Sequence, residues 1–378
     1  MMVESLGIFC IFARVIISSM MDNKEIRPGL FAQDHNNSNR DYSREKYWGK
    51  NQFNSSFPAS LVAYMGYRGI NPVYLKTDAD NKVVHTSITP TELFRINPLS
   101  PDAFYNFEAG YVCFEKFYIG EREKIDLVMV DSSTNESLIG LEIKLTAIPD
   151  STTKNLPEDR YSSEIVVRPP TINFLACSLC SSFIGVKGRN VLRELLGTVP
   201  QINHWEEAEA VLPHYGKILD AVLNVSRYLQ KRQIPLVIQP IWKTRKGSAV
   251  LSDDCLDVFV WSNLAVIQMC CLQEADKVKI NRPMRTVIWL YLMLFDYAVY
   301  AQFDYRRIVR LHSYNIANDK AFAISGVQSY ALLQSPQLAH PRIDKKEIKN
   351  IILGGGQNFL SPERRFDAVV VYSPDLFD

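Results

Sequence analysis

Three residues carry the chemistry that this sequence points to most directly. Asp126, Glu142 and Lys144 form the pattern D-x15-E-x-K. Asp126 opens an apolar, β-rich run from Ile125 to Val130. Glu142 and Lys144 lie on a second such run, Leu138 to Leu145, and Asp131 to Glu136 (DSSTNE) between the two is turn chemistry. Side chains alternate along a strand, so Glu142 and Lys144 point to one face and Ile143 to the other. With the turn centred near Thr134, Asp126 falls opposite Glu142, close enough for the two to share a cation. Two carboxylates bind Mg2+ through oxygen while waters complete its shell. The cation polarises a phosphate and activates a water, and a neighbouring lysine orients that water or stabilises charge. That is equipment for phosphodiester hydrolysis. The competing reading is an exposed strand face on which Glu142 and Lys144 make a surface pair, since the pattern is loose.

The elements that must position these residues are predicted as follows. Ser100 reads as an N-cap, with Pro101 at the first helical position and Asp102 beside it. Phe104, Phe107, Tyr111, Phe114 and Tyr118 then recur at helical spacing as far as Gly120. On that helix Glu108 and Glu115 share a face. Glu108 is favoured as a further carboxylate of the site because Gly110 permits close packing; the alternative is an ordinary exposed glutamate. A short helix is expected over 57–66 and a hairpin over 73–76 and 82–87. A strand over 164–168 ends at Pro169 and Pro170. Helices follow near 171–181, 189–196 and 205–231, with strands at 236–242 and 256–260. A long helix is expected over 285–310. Its centre is nearly uncharged, but Asp296, Gln302 and its tyrosines make it a buried core helix rather than a membrane span. The fold class is therefore α/β, with mixed elements.

Composition bounds the rest. The chain has 378 residues, 47% apolar and 22% charged, which is a globular balance with room for a sizeable core. The formal net charge of +1 argues only weakly against a nucleic-acid partner, because carboxylates of a nuclease site offset basic groups in a cleft. Seven cysteines in an irregular spacing give no disulfide framework, and the lone Cys177-x-x-Cys180 lacks the second pair a zinc site needs. Free thiols in a reducing cytoplasm are the simpler reading. No G-x-S-x-G elbow is present, and Gly354 to Gly356 is followed by no Lys-Ser/Thr. A second E-x-K, Glu347 to Lys349, lies in a charged run with no strand-borne aspartate before it. Residues 1–20 hold a short apolar stretch with Glu4 where a signal peptide carries positive charge. Translation is expected to start at Met20 or Met21, the leading segment being upstream sequence.

The polar arm from Asp34 to Ser56 reads either as a solvated loop or as a DNA-contacting segment in which Asn and Gln read adenine while Arg and Lys hold guanine or phosphates. Three stretches carry a family resemblance: SNRDYSREKYWGKNQFNSSFP (38–58), EIKLTAIPDSTT (142–153) and LSPERRFDAVVVY (360–372). From about Arg27 to the C-terminus, the chain resembles the HindVP-like type II restriction endonucleases of the PD-(D/E)xK superfamily. The resemblance implies a restriction-endonuclease-like core, with a mixed central sheet flanked by helices and an additional helical C-terminal part. Residues 21–99 would be an N-terminal DNA-contacting region, 100–270 the catalytic core, and 271–378 a helical recognition part packed on it. It implies Mg2+-dependent cleavage of double-stranded DNA at a short palindrome, GRCGYC among relatives, by a homodimer that works beside a cognate DNA methyltransferase and has no membrane association. The catalytic roles fall on Asp126, Glu142 and Lys144, with Asp126 and Glu142 as metal ligands. Ile125 stands where the superfamily label has proline. Candidate DNA-contacting residues are Arg40, Arg44, Lys50, Asn51, Gln52, Asn54, Arg364 and Arg365. For the last two, a surface ion pair with Glu363 and Asp367 is the alternative. Other functions left open are a repair or junction-resolving nuclease of the same superfamily and a DNA-binding protein without activity.

Overall fold

The computed structural model describes residues 50–144, 146–149, 165–244, 251–271, 276, 278–324 and 342–346. The chain starts with α1 (Lys50–Tyr67), the hairpin β1 (Val73–Thr77) and β2 (Val83–Ser87), and the short α2 (Pro90–Phe94). Next come β3 (Ala103–Gly110), a 3-10 segment (Val112–Phe117), β4 (Lys124–Asp131), β5 (Glu136–Ile143), β6 (Thr146–Pro149) and β7 (Ile165–Val167). A helical half follows: α3 (Pro169–Cys180), α4 (Gly185–Leu196), α5 (Ala208–Val211) and α6 (Tyr215–Tyr228). Then come β8 (Pro235–Thr244), β9 (Leu251–Ser262), α7 (Asn263–Cys271), α8 (Arg282–Tyr300), α9 (Tyr305–Leu311), β10 (Phe322–Ile324) and β11 (Ile343–Asp344).

Local chemistry explains the tight connections. Asp78 Oδ1 accepts from the N–H groups of Asp80 and Lys82, closing the β1–β2 turn. Thr89 and Glu92 form a reciprocal capping box on α2, with Pro90 at its first turn. In the β4–β5 turn, Asp131 Oδ1 accepts from Ser133 N–H, and Asn135 adopts the left-handed conformation the turn requires.

These strands build one mixed sheet in the order β2-β1-β9-β8-β5-β4-β3, with β11 beside β9 and β6 beside β8. The β1–β9, β5–β8 and β6–β8 pairs are parallel and the others antiparallel. A separate two-stranded sheet joins β7 to β10. The large sheet is covered on both faces. Leu127, Met129, Ile139, Leu141 and Ile143 pack against α1 and α2. Val128, Val237, Phe259 and Trp261 pack against α3, α6, α7 and α8. This mixed α/β architecture, a central mixed sheet flanked by helices, is the one the resemblance implies.

Three predicted elements differ. The helix expected over 205–231 is α5 and α6, separated by a 3-10 turn at Leu212–His214 that contains Pro213. The helix expected from Ser100 to Gly120 is β3 followed by the 3-10 segment. Ser100 closes a turn, its carbonyl accepting from Ala103 N–H, instead of capping a helix. Phe104, Tyr105 and Phe107 are good strand formers, and β3 pairs along its length with β4, a long-range gain that helical spacing of aromatics does not reveal. The long helix over 285–310 is α8 and α9, separated where Ala301 turns left-handed and Asp304 caps the second helix by accepting from Arg307 N–H. Its burial is as expected. Among the described residues no single helix is long and apolar enough to cross a membrane.

α8 carries a buried cation. Arg285 is 0% exposed and stacks over Trp289, 4.3 Å from its ring centre. Its guanidinium donates to the carbonyls of Ser313, Ile316, Ala317 and Lys320 and to Asn318 Oδ1. Burial pulls its pKa down to about 10, and the carbonyl cage holds the guanidinium in place. Arg285→Met strands five acceptors, and unfolding by urea is expected to show a loss of about 3 kcal/mol. An unchanged midpoint would mean that this cage does not hold the 313–320 loop.

Candidate active site

The site lies where β5 changes partner. Through Leu141, β5 pairs antiparallel with β4; from Glu142 it pairs parallel with β8, Glu142 opposite Val237 and Ile143 opposite Ile238. Lys144 N–H donates to Ile238 O at 2.9 Å, and β6 continues along β8 from Thr146. Pro240 of β8 has no N–H to donate, and the ladder breaks beside it. At the point where β4 and β5 part, a side chain replaces the backbone ladder. Asp126 Oδ2 accepts from Ile143 N–H at 2.7 Å.

Pairing brings three carboxylates into one row. In the β4–β5 pairing, Leu127 stands opposite Leu141, so Asp126 falls opposite Glu142. In the β3–β4 pairing, Phe107 stands opposite Leu127 and Ala109 opposite Ile125, so Glu108 falls opposite Asp126. Glu108 is not itself ladder-paired, and its φ of 51° is left-handed, a kink in β3 at the level of the site. Lys144 Nζ donates to Glu142 Oε1 at 2.7 Å, and the Thr171 hydroxyl of α3 donates to the same oxygen at 3.1 Å. The Glu142 and Lys144 side chains are only 13% and 16% exposed, so this is no surface pair.

Electrostatics follow from the crowding. Burial, then the charge of Glu142, pushes Asp126 up to about 8, against the pull of Lys144 and of the Ile143 N–H. Burial and Glu142 also raise Glu108, with Lys124 and Lys144 opposing. For Lys144, burial works against the charge, but Glu142 and Asp126 outweigh it and the net shift is upward. The lysine is held cationic among carboxylates that repel each other. Among the described residues, no group of three or more His, Cys, Asp or Glu side chains is assembled as a metal cage. A cation that keeps most of its waters needs only one or two carboxylates, and an all-oxygen pair such as Asp126 and Glu142 fits a hard divalent ion.

Of the predicted site residues, Asp126, Glu142, Lys144 and Glu108 come together. Glu108 arrives on a strand, not a helix. Glu115 is separated from it, exposed and ion-paired with Arg122. Gly110 does leave room, but for the Arg122 side chain, which a Cβ there would meet at 2.2 Å. Lys50, Asn51, Gln52 and Asn54 fall in the first turns of α1, their side chains outside the described residues, as are Arg40, Arg44, Arg364, Arg365 and the leading segment 1–20. Thr171 was not singled out by the sequence. Its pattern is that of any helix start, and only packing of α3 on the sheet brings it to Glu142.

The chain matches the family model described as HindVP restriction endonuclease over residues 48–377. It is 40% identical to "Type II restriction enzyme HgiDI" of Herpetosiphon aurantiacus over 356 residues, covering 93% of this chain and 98% of the relative. It is also 40% identical to "Probable type II restriction enzyme HindVP" of Haemophilus influenzae over 361 residues, covering 93% and 96%. No solved structure matches.

A carboxyl that stays protonated in the folded chain but ionises in the unfolded one favours folding at low pH. For Asp126 that contribution is full below about pH 4 and is lost as pH rises through about 8. The metal-free protein is therefore expected to lose thermal stability between pH 5 and 8. Asp126→Asn, whose amide oxygen can still accept from Ile143 N–H, should flatten that slope and raise Tm at pH 8. Parallel melting curves for the two proteins would contradict the assignment.

Proposed function

The chain belongs to the HindVP restriction endonuclease family, and from that premise we propose that it is a type II restriction endonuclease. It would hydrolyse phosphodiester bonds of double-stranded DNA at a short palindrome, GRCGYC or a close variant, with Mg2+. The observation that supports this best is the row of Asp126 and Glu142 at the β4–β5 fork, with Lys144 bonded to Glu142. Asp126 and Glu142 are the residues that would hold the cation. When bound, Mg2+ supplies Lewis-acid polarisation of the phosphate and a more acidic water.

The chain's own groups do the rest. Ile143 N–H fixes one oxygen of Asp126, so its other oxygen is presented in a set direction. Lys144 places a permanent positive charge beside the carboxylates, where it can orient a water and stabilise charge developing on phosphate oxygens. Glu108 adds a third carboxylate beyond Asp126; its raised pKa suits it to take a proton from a water during the reaction. In this reading, Arg40, Arg44, Lys50, Asn51, Gln52, Asn54, Arg364 and Arg365 contact DNA from the flanking segments 21–99 and 271–378, around the 100–270 core. A palindromic target calls for a two-fold homodimer, one subunit per strand. The enzyme would act in the cytoplasm, with a cognate methyltransferase protecting the host's own sites.

Incubation with phage DNA and Mg2+ should yield discrete fragments. Smearing or structure-dependent nicking would favour a repair or junction nuclease, and intact DNA a binding protein without activity. Asp126→Asn and Lys144→Ala should each lower cleavage at least about 100-fold while a gel-shift assay still shows DNA binding. Normal cutting by either variant would remove it from the catalytic set. Chelation with EDTA should stop cleavage, and Mg2+ added back should restore it.

A further inference from the structure

We propose that Thr171 is a positioning residue for the catalytic carboxylate Glu142, holding one of its oxygens so that the other faces the cation. This rests on the function proposed above. Thr171 sits in the first turn of α3, is 1% exposed, and its hydroxyl needs an acceptor. A helical threonine ordinarily finds one on its own helix, at the carbonyl four residues back. Thr286 in α8 does so, donating to Arg282 O. For Thr171 the residue four back is Val167, which belongs to β7 and lies before the helix begins, and its carbonyl accepts from Ala321 N–H. The hydroxyl instead leaves its helix and donates to Glu142 Oε1 at 3.1 Å.

The consequence is a division of labour between the two oxygens of Glu142. Oε1 receives Thr171 from the helix and Lys144 from its own chain. No hydrogen bond from the described residues reaches Oε2. Asp126 is handled in the same way, with Oδ2 held by Ile143 N–H and Oδ1 left without a described donor. Each carboxylate therefore offers one oxygen. That suits a small cation bound by single oxygens and waters better than a large one that takes carboxylates two oxygens at a time. Lys144 alone could not do this, because a flexible ammonium follows the carboxylate as it rotates. Thr171 is fixed to a rigid helix and stops that rotation. Groups that orient a ligand in this way typically shift metal affinity 10-fold to 100-fold.

The test compares Thr171→Val, which keeps shape and removes the hydroxyl, with Thr171→Ser, which keeps the hydroxyl. Two readouts are taken: the Mg2+ concentration for half-maximal cleavage, and calorimetric titration of MgCl2 alone into the DNA-free, metal-depleted protein. Thr171→Val is expected to need about 10-fold more Mg2+ in both, with cleavage at saturating Mg2+ within a few-fold of wild type, while Thr171→Ser stays close to wild type. Wild-type Mg2+ dependence for Thr171→Val overturns the proposal. So does an equal defect in both variants, which would make position 171 a matter of packing. Asp126→Asn separates this failure from a deeper one. If that variant retains both Mg2+ binding and cleavage, the cation site lies elsewhere and both readings fall; if it loses them while Thr171→Val does not, only the role of Thr171 is wrong.

Discussion

The constraint on which the rest depends is the repulsion among half-buried carboxylates at one point of the sheet. Asp126, Glu142 and Glu108 stand in a row across three strands, where burial pushes Asp126 and Glu108 toward the neutral form. Four groups make the row tolerable: the Lys144 ammonium, the Ile143 N–H, the Thr171 hydroxyl and, more distantly, Lys124. None of these belongs to a flexible loop. Two come from β5 and its immediate continuation, one from the first turn of a helix, one from the start of β4. The arrangement is preorganised because every member is anchored by backbone that is itself hydrogen-bonded.

That anchoring explains the sheet order. β5 stays antiparallel to β4 as far as Leu141, which brings Asp126 beside Glu142, and there it changes partner. The parallel ladder with β8 begins at Glu142, where the antiparallel one ends. Helices on one face and α1 with α2 on the other clamp the fork from both sides. The buried Arg285 cage does comparable work farther away, tying the 313–320 loop, which leads into β10, to α8.

Much of the site was legible in the sequence because its geometry is local. A turn of known chemistry between two β-rich runs sets which residues face each other, and the two-residue strand period puts Glu142 and Lys144 together. What stayed hidden depends on partners distant in sequence. The segment from Ser100 to Gly120 carries aromatics at helical spacing, but the ladder available on β4 decides its conformation. Glu108 is favoured in the sequence because Gly110 permits close packing beside it on a helix; the segment is a strand and Gly110 makes room for Arg122, yet Glu108 still lies opposite Asp126. Thr171 had no signal, because a threonine after two prolines looks the same whether or not a carboxylate waits beside it. The break in the long C-terminal helix turns on Ala301, a residue whose type gives no warning of a left-handed turn.

The left-handed backbone at Glu108 has a consequence for how such a protein ages in evolution. Glycine reaches that conformation freely, whereas a residue with a side chain gives up about 1 kcal/mol to hold it. Position 108 is thus one where folding and the proposed chemistry ask for different residues, and glycine is the choice that favours folding alone. In a lineage relieved of the need to cut DNA, drift there runs downhill. Loss of this carboxylate would be an early mark of an enzyme on its way to becoming a relic, fold intact and better settled than before.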